Sequence, residues 1–165
     1  MFLNSVKSCS RWSPTENTDA NRDLPYERPF VPLDPTAFLA DPELIRALSG
    51  RATTFVCQAN RVLFQQNDPA VGLYILHEGV VTLSMASERG DPIFTVQAKG
   101  GSLLGLPGLV GNQPYSLTAV AHPGAQVSFL ARAKFDALMQ SDPALSFNIL
   151  QILAAEVRSA RQALL

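Results

Sequence analysis

The sequence predicts a mainly β domain with flanking helices: an antiparallel β-roll, or jelly roll, followed by one long C-terminal dimerisation helix. Three observations predict it. The hydrophobic period is helix-like up to Gly50, strand-like from Arg51 to Ala131, and helix-like again to Leu165. Turn signals divide the middle stretch at Ala59-Asn60, Asn67-Asp68-Pro69, Glu78-Gly79, Arg89-Gly90-Asp91 and His122-Pro123-Gly124. A chain of 165 residues, 47% apolar and 16% charged, holds one globular domain with a sizeable core and is not a disordered polymer.

In chain order, residues 1–34 read as an irregular arm. Pro14, Pro25, Pro29 and Pro32 punctuate it and no period emerges. It is a disordered tail, or the product of a start codon set too far upstream, or a segment that packs on the domain or on a partner through Trp12, Tyr26 and Phe30. Residues 35–141 form the roll with short flanking helices. In "DPTAFLADPELIRALSG", Asp34 with Pro35 and Asp41 with Pro42 each open a helical turn, because an aspartate accepts from free N–H groups and proline lacks the N–H that would go unpaired. Phe38, Leu39, Leu44, Ile45 and Leu48 supply the apolar face, and Gly50 ends the helix.

The runs "RATTFVC", "RVLFQQ", "GLYILHEG", "VVTLSMAS", "PIFTVQA", "YSLTAVA" and "AQVSFLA" are short and β-rich. Seven or more strands at this spacing imply a sandwich or barrel. "ARAKFDALMQ" is a short helix, and Asp142-Pro143 opens a long one over 142–165. In it Ser146, Leu150, Leu153, Val157, Ala160 and Leu164 repeat at alternating spacings of four and three, a coiled-coil seam that suits a second copy of the chain. Phe147, Ile149 and Ile152 lie on other faces and are expected to pack on the roll.

Several chemistries are disfavoured. The net charge of −1 lacks the basic excess of a nucleic-acid or membrane-surface protein. No apolar run reaches the roughly 20 residues of a membrane span, and "MFLNSVKSCSRW" is too short for a secretory signal, so a cytoplasmic location is expected. Cys9 and Cys57 offer too few thiolates for zinc or an iron–sulfur cluster. A disulfide between them is disfavoured, and a buried thiol is the simpler role for Cys57. His77 and His122 are the only histidines, too few for the clustered ligands of a metal enzyme of β-roll type. Ser84, Ser116 and Ser128 fall in strand patterns with no evident His–Asp relay, and Glu88 to Asp91 form a solvated hairpin tip. No catalytic residue, metal or cofactor is expected.

The order of helix, roll, short helix and long helix resembles the cyclic-nucleotide-binding domain of the Crp/Fnr family of bacterial regulators. Asp68, Tyr74, Ile75, Gly79 and Val81 in "RVLFQQNDPAVGLYILHEGVVTLSM" are similar to that family's strand–turn–strand pattern. "GGSLLGLPGLVGNQPYSLTAVA" sits where the family keeps its phosphate-binding cassette. The resemblance implies a ligand pocket at Leu104, Gly105, Leu106, Pro107, Gly108, Leu109, Tyr115, Ser116 and Leu117. In nucleotide-binding members a glutamate follows the first cassette glycine and an arginine precedes a small polar residue; here those places hold Leu106 and Tyr115. No Lys or Arg occurs between Gly100 and Ala121.

A cyclic phosphate entering such a pocket loses hydration and needs a charged partner. Losing the arginine costs on the order of 2–5 kcal/mol, so tight binding of cyclic AMP or cyclic GMP is not expected. Leu106, Pro107, Leu109 and Val110 would line the pocket with apolar groups. The family's regulators continue into a winged helix-turn-helix, absent before Leu165, and the last helix carries only Arg158 and Arg161; direct DNA binding is therefore not expected. The resulting expectation is a non-enzymatic, homodimeric regulatory or sensory module with a degenerate cassette. Alternatives are an interaction subunit with a protein partner, and a sensor of an unidentified, more apolar small-molecule effector. An open space behind Leu106 and Tyr115 favours sensing; a filled one favours interaction.

Overall fold

Asp-Pro pairs open three helical segments of this chain. The computed structural model describes residues 33–165, and the readings placed on earlier residues, including Cys9, Trp12, Tyr26 and Phe30, lie outside the described residues. Asp34 caps one 3-10 turn, Pro35–Phe38. Its Oδ1 accepts from the Thr36 hydroxyl at 2.7 Å and the Thr36 N–H at 2.9 Å, and these bonds hold its carboxyl below the usual range. Asp41 caps α1 (Pro42–Ser49) by accepting from Glu43 N–H at 2.8 Å. Gly50 follows α1 with a right-handed φ of −60°, so the helix ends without the left-handed glycine that the sequence suggests.

Eight antiparallel strands follow among the described residues: β1 (Thr53–Val56), β2 (Arg61–Phe64), β3 (Gly72–Glu78), β4 (Val80–Ala86), β5 (Pro92–Lys99), β6 (Ser102–Leu104), β7 (Thr118–Ala121) and β8 (Gln126–Ala131). They form two four-stranded sheets, ordered β1-β8-β3-β6 and β2-β7-β4-β5. β5 shows the alternation of a half-covered strand: Phe94, Val96 and Ala98 are buried, whereas Thr95, Gln97 and Lys99 are exposed. β3 is almost continuously apolar because its sheet is covered on both faces: Leu76 enters the core between the sheets, and Leu73 and Ile75 enter a second core beneath the helices. Between β3 and β4, Gly79 has φ +91°, and a Cβ there would lie 2.7 Å from Ala125 Cα.

Two strand assignments change. β6 lies inside the glycine-rich stretch, where three residues are too few to show a period. "YSLTAVA" enters its strand only at Thr118, leaving Tyr115 and Ser116 in the preceding loop. Between β6 and β7 runs the short helix α2 (Leu106–Gly111).

After β8 come α3 (Arg132–Ser141) and α4 (Pro143–Gln162). Asp142 caps α4 by accepting from Ala144 and Leu145 N–H. α4 buries Ile149 and Ile152 in the helix-side core. Phe147, expected to pack on the roll, is instead 60% exposed. At about 100° per residue it points nearly opposite to Ile149. The hydroxyl of Ser159 accepts from Asp34 N–H at 3.1 Å and ties the far end of α4 to the 3-10 turn.

Candidate functional site

The cassette occupies the connection from β6 through α2 to β7. Gly105 begins it in the left-handed region, φ +96°, and a Cβ there would lie 2.7 Å from the Tyr115 ring. The turn is thus restricted twice, by backbone conformation and by the ring opposite. Gly108 is similarly confined: its Cβ would meet the Pro114 carbonyl at 2.9 Å.

Tyr115 fills the space these turns enclose. It is 2% exposed, and its ring stacks on Phe64 with centroids 4.1 Å apart and planes at 20°. Its hydroxyl donates to the Gly72 carbonyl at 2.6 Å and accepts from the Gly72 N–H at 3.2 Å. Burial pushes its phenol above the ordinary value. Tyr115 N–H donates to Asp68 carbonyl, and Asn67 N–H donates to Tyr115 carbonyl, so the loop is fixed on both sides of the ring. Phe38, Phe64, Leu83, Leu104 and Glu156 complete the walls, and about 30 Å³ remains, the share of about one water molecule.

Of the residues expected to line the pocket, Leu104, Gly105, Pro107, Gly108, Tyr115, Ser116 and Leu117 surround this cavity. Leu106 and Leu109 do not. Both are buried with Leu73, Leu103, Leu130 and Phe135 in the helix-side core. The turn at Gly105 directs the apolar side of α2 toward α3 and α4, away from the sandwich interior. Val110, another expected wall, is 45% exposed and does not line the cavity. Arg132 holds α2 from outside: its guanidinium donates to the Leu109 carbonyl at 3.0 Å and to the Ala70 carbonyl at 2.8 Å.

Glu156 is the site residue the sequence reading missed. It lines both the cassette cavity and the groove beside it. Its signal lay in a second spacing on α4: Ile149, Ile152, Glu156 and Ser159 recur at three, four and three, which places the glutamate on the buried face. No described residue pairs with its carboxylate, and burial raises its pKa to about 8.

The seam residues divide. Leu150, Val157 and Leu164 are 57%, 49% and 80% exposed. Leu153 is half-buried against the helix-side core, Ala160 lines the groove, and Ser146 turns its hydroxyl to the Met139 carbonyl at 2.6 Å. Away from the cassette, one pairing was not legible in the sequence. His77 Nε2 lies 2.6 Å from Ser128 Oγ, which also bonds Thr54 at 2.7 Å. Ser128 is wholly buried and no carboxylate among the described residues bonds the imidazole, so the pair joins strands and offers no accessible nucleophile. His122 likewise bonds Thr82 at 2.6 Å, and Cys57 is a buried thiol. No cluster of metal-ligating residues and no helix long and apolar enough to cross a membrane occurs among the described residues.

Comparison with known proteins fits this fold. The fold is similar to the catabolite activator protein of Thermus thermophilus, with a TM-score of 0.66 and 24% identity over 79% of this chain and 62% of that one. It is similar to the N-terminal domain of a transcriptional regulator from Streptomyces coelicolor, with a TM-score of 0.57 and 22% identity over 79% and 90% of the two chains. The sensor domain of the transcriptional regulator DNR from Pseudomonas aeruginosa gives a TM-score of 0.57 and 18% identity over 71% and 79%. No curated protein matches the sequence. The sequence pattern of the cyclic nucleotide-binding domain matches residues 54–142, more than half of the 165, and the chain belongs to that family.

Proposed function

We propose that this domain is a non-enzymatic regulatory module whose filled cassette takes no cyclic nucleotide, which favours the interaction reading over cassette sensing, and that it acts through α4. One observation carries the reading: the Tyr115 ring, bonded to Gly72 and stacked on Phe64, occupies the cassette interior and leaves about 30 Å³. Pockets for small ligands run to about 300–1,000 Å³. Charge supports the same reading, because the described residues lining the cavity include no Lys or Arg, and a phosphate there would lose hydration without a charged partner. Calorimetric titration of the full chain with cyclic AMP and cyclic GMP should show no binding up to about 1 mM. A dissociation constant near about 10 μM for either nucleotide would contradict the proposal.

The exposed apolar stripe of α4 supports self-association. Leu150, Val157 and Leu164, with Phe147 beside them, form the kind of surface that a monomer rarely leaves to water. A second copy of α4 covers it in this reading. Leu150→Glu with Val157→Glu should convert a dimer into a monomer in sedimentation; a wild-type monomer, or a dimer in the double variant, would sink this part. Contact with DNA has no part in the reading, since Arg158 and Arg161 are the only basic residues on α4.

A further inference from the structure

A groove of about 330 Å³ lies beside the cassette, bounded by the 3-10 turn, the β4–β5 pair and α4. Its walls are almost wholly apolar: Ala37 and Phe38 on one side, Met85, Ile93 and Phe94 on the second, Ala160 on the third. Leu117 and Ser116 form the side toward the cassette. Its volume lies within the range of small-ligand sites.

Among the described residues Glu156 is the only ionisable one lining it. Ser159 is already engaged by Asp34 N–H, and the Asp34 carboxylate is exposed and turned to Thr36. The cassette loop and the β4–β5 walls present no titratable group to the groove. A carboxylate placed alone in apolar walls is costly when charged and gains most from a cation that brings its own apolar body.

We infer that this groove is a ligand site for a small apolar molecule bearing an ammonium group, with the cation on Glu156 and the body against Phe38, Ile93 and Phe94. The inference goes beyond the cassette reading, because it concerns the adjoining groove, which shares Glu156 with the cassette cavity, and a ligand of opposite charge. Binding is linked to protons. With no ligand the acid keeps its proton until about pH 8, so an ammonium must displace that proton to pair with the carboxylate. Below that point the competent carboxylate fraction falls about tenfold per pH unit, and the apparent affinity falls with it.

The test is calorimetric titration of the full chain with three molecules of like shape: 2-phenylethylamine, 2-phenylethanol and 3-phenylpropanoate. Near pH 8.5 the amine should bind about tenfold or more tightly than the alcohol, and the carboxylate weakest. The amine's affinity should drop by about tenfold between about pH 7 and about pH 6. Glu156→Gln should remove both the preference and the pH dependence, and Ala160→Phe, which fills the groove from the exposed side of α4, should abolish binding. Equal affinity for amine and alcohol overturns the inference. So does a preference that survives in Glu156→Gln, or the absence of binding by any of the three at about 10 mM. Cyclic-nucleotide binding is read in a separate titration, so failure of one proposal is distinguishable from failure of the other.

Discussion

The cassette interior and the groove beside it share Phe38, Ser116, Leu117 and Glu156 as walls, yet one holds about 30 Å³ and the other about 330 Å³. The difference lies in what the chain itself supplies. Into the cassette it sends Tyr115, whose ring finds Phe64 and whose hydroxyl finds both polar groups of Gly72. Among the described residues none fills the groove, and the Glu156 carboxyl there has no described partner. A space whose apolar and polar needs are both met internally behaves as core. A space with apolar walls and one ionisable carboxyl without a described partner has a reason to take a ligand.

The largest expected effect breaks the first half of that comparison. Tyr115→Ala removes a buried aromatic and leaves Gly72 without its partner, and should destabilise the domain by about 3–5 kcal/mol. Chemical denaturation measures it; a loss below about 1 kcal/mol would mean that the ring is not the cassette's filling.

A smaller effect sharpens the second half. In the folded domain Glu156 holds its proton to about pH 8, whereas its ordinary value is 4.5. The folded-state pKa is raised, so the associated stability is complete below about pH 4.5. It is lost as pH rises through the window to about 8, where the unfolded chain ionises and the folded one does not. After allowing for the water that reaches a half-buried group, the loss is on the order of 2 kcal/mol. Glu156→Gln should flatten that part of the pH profile and be more stable than wild type above about pH 8. A slope unchanged by the substitution would show that Glu156 is solvated and the groove less apolar than its walls imply.

Much of the fold was legible because it rests on local chemistry. The Asp-Pro caps at 34, 41 and 142 sit where the sequence places them, and the change of period marks the roll from the helices. β6 and the late start of β7 were hidden by the same glycine-rich stretch, which reads as a loop and contains a strand, a helix and a bend. The cassette side chains were harder still. Leu106 and Leu109 share one apolar composition with Leu104, and only the left-handed turn at Gly105 decides which core each joins. Glu156 was masked because α4 carries two overlapping patterns and the seam is the more conspicuous. The bond between His77 and Ser128 spans 51 residues and depends on strand register, which composition does not encode.

The most direct test of the central claim is chemical rescue. p-Cresol is the tyrosine side chain as a free molecule, and the space left in Tyr115→Ala has its shape, a stacking partner in Phe64 and two hydrogen-bonding groups in Gly72. Thermal melting of Tyr115→Ala with saturating p-cresol should rise by a few degrees, roughly 3–5 °C, while wild type stays unchanged. A variant that melts like wild type and ignores p-cresol would contradict the account, because the cassette would then have been open to a ligand from the start.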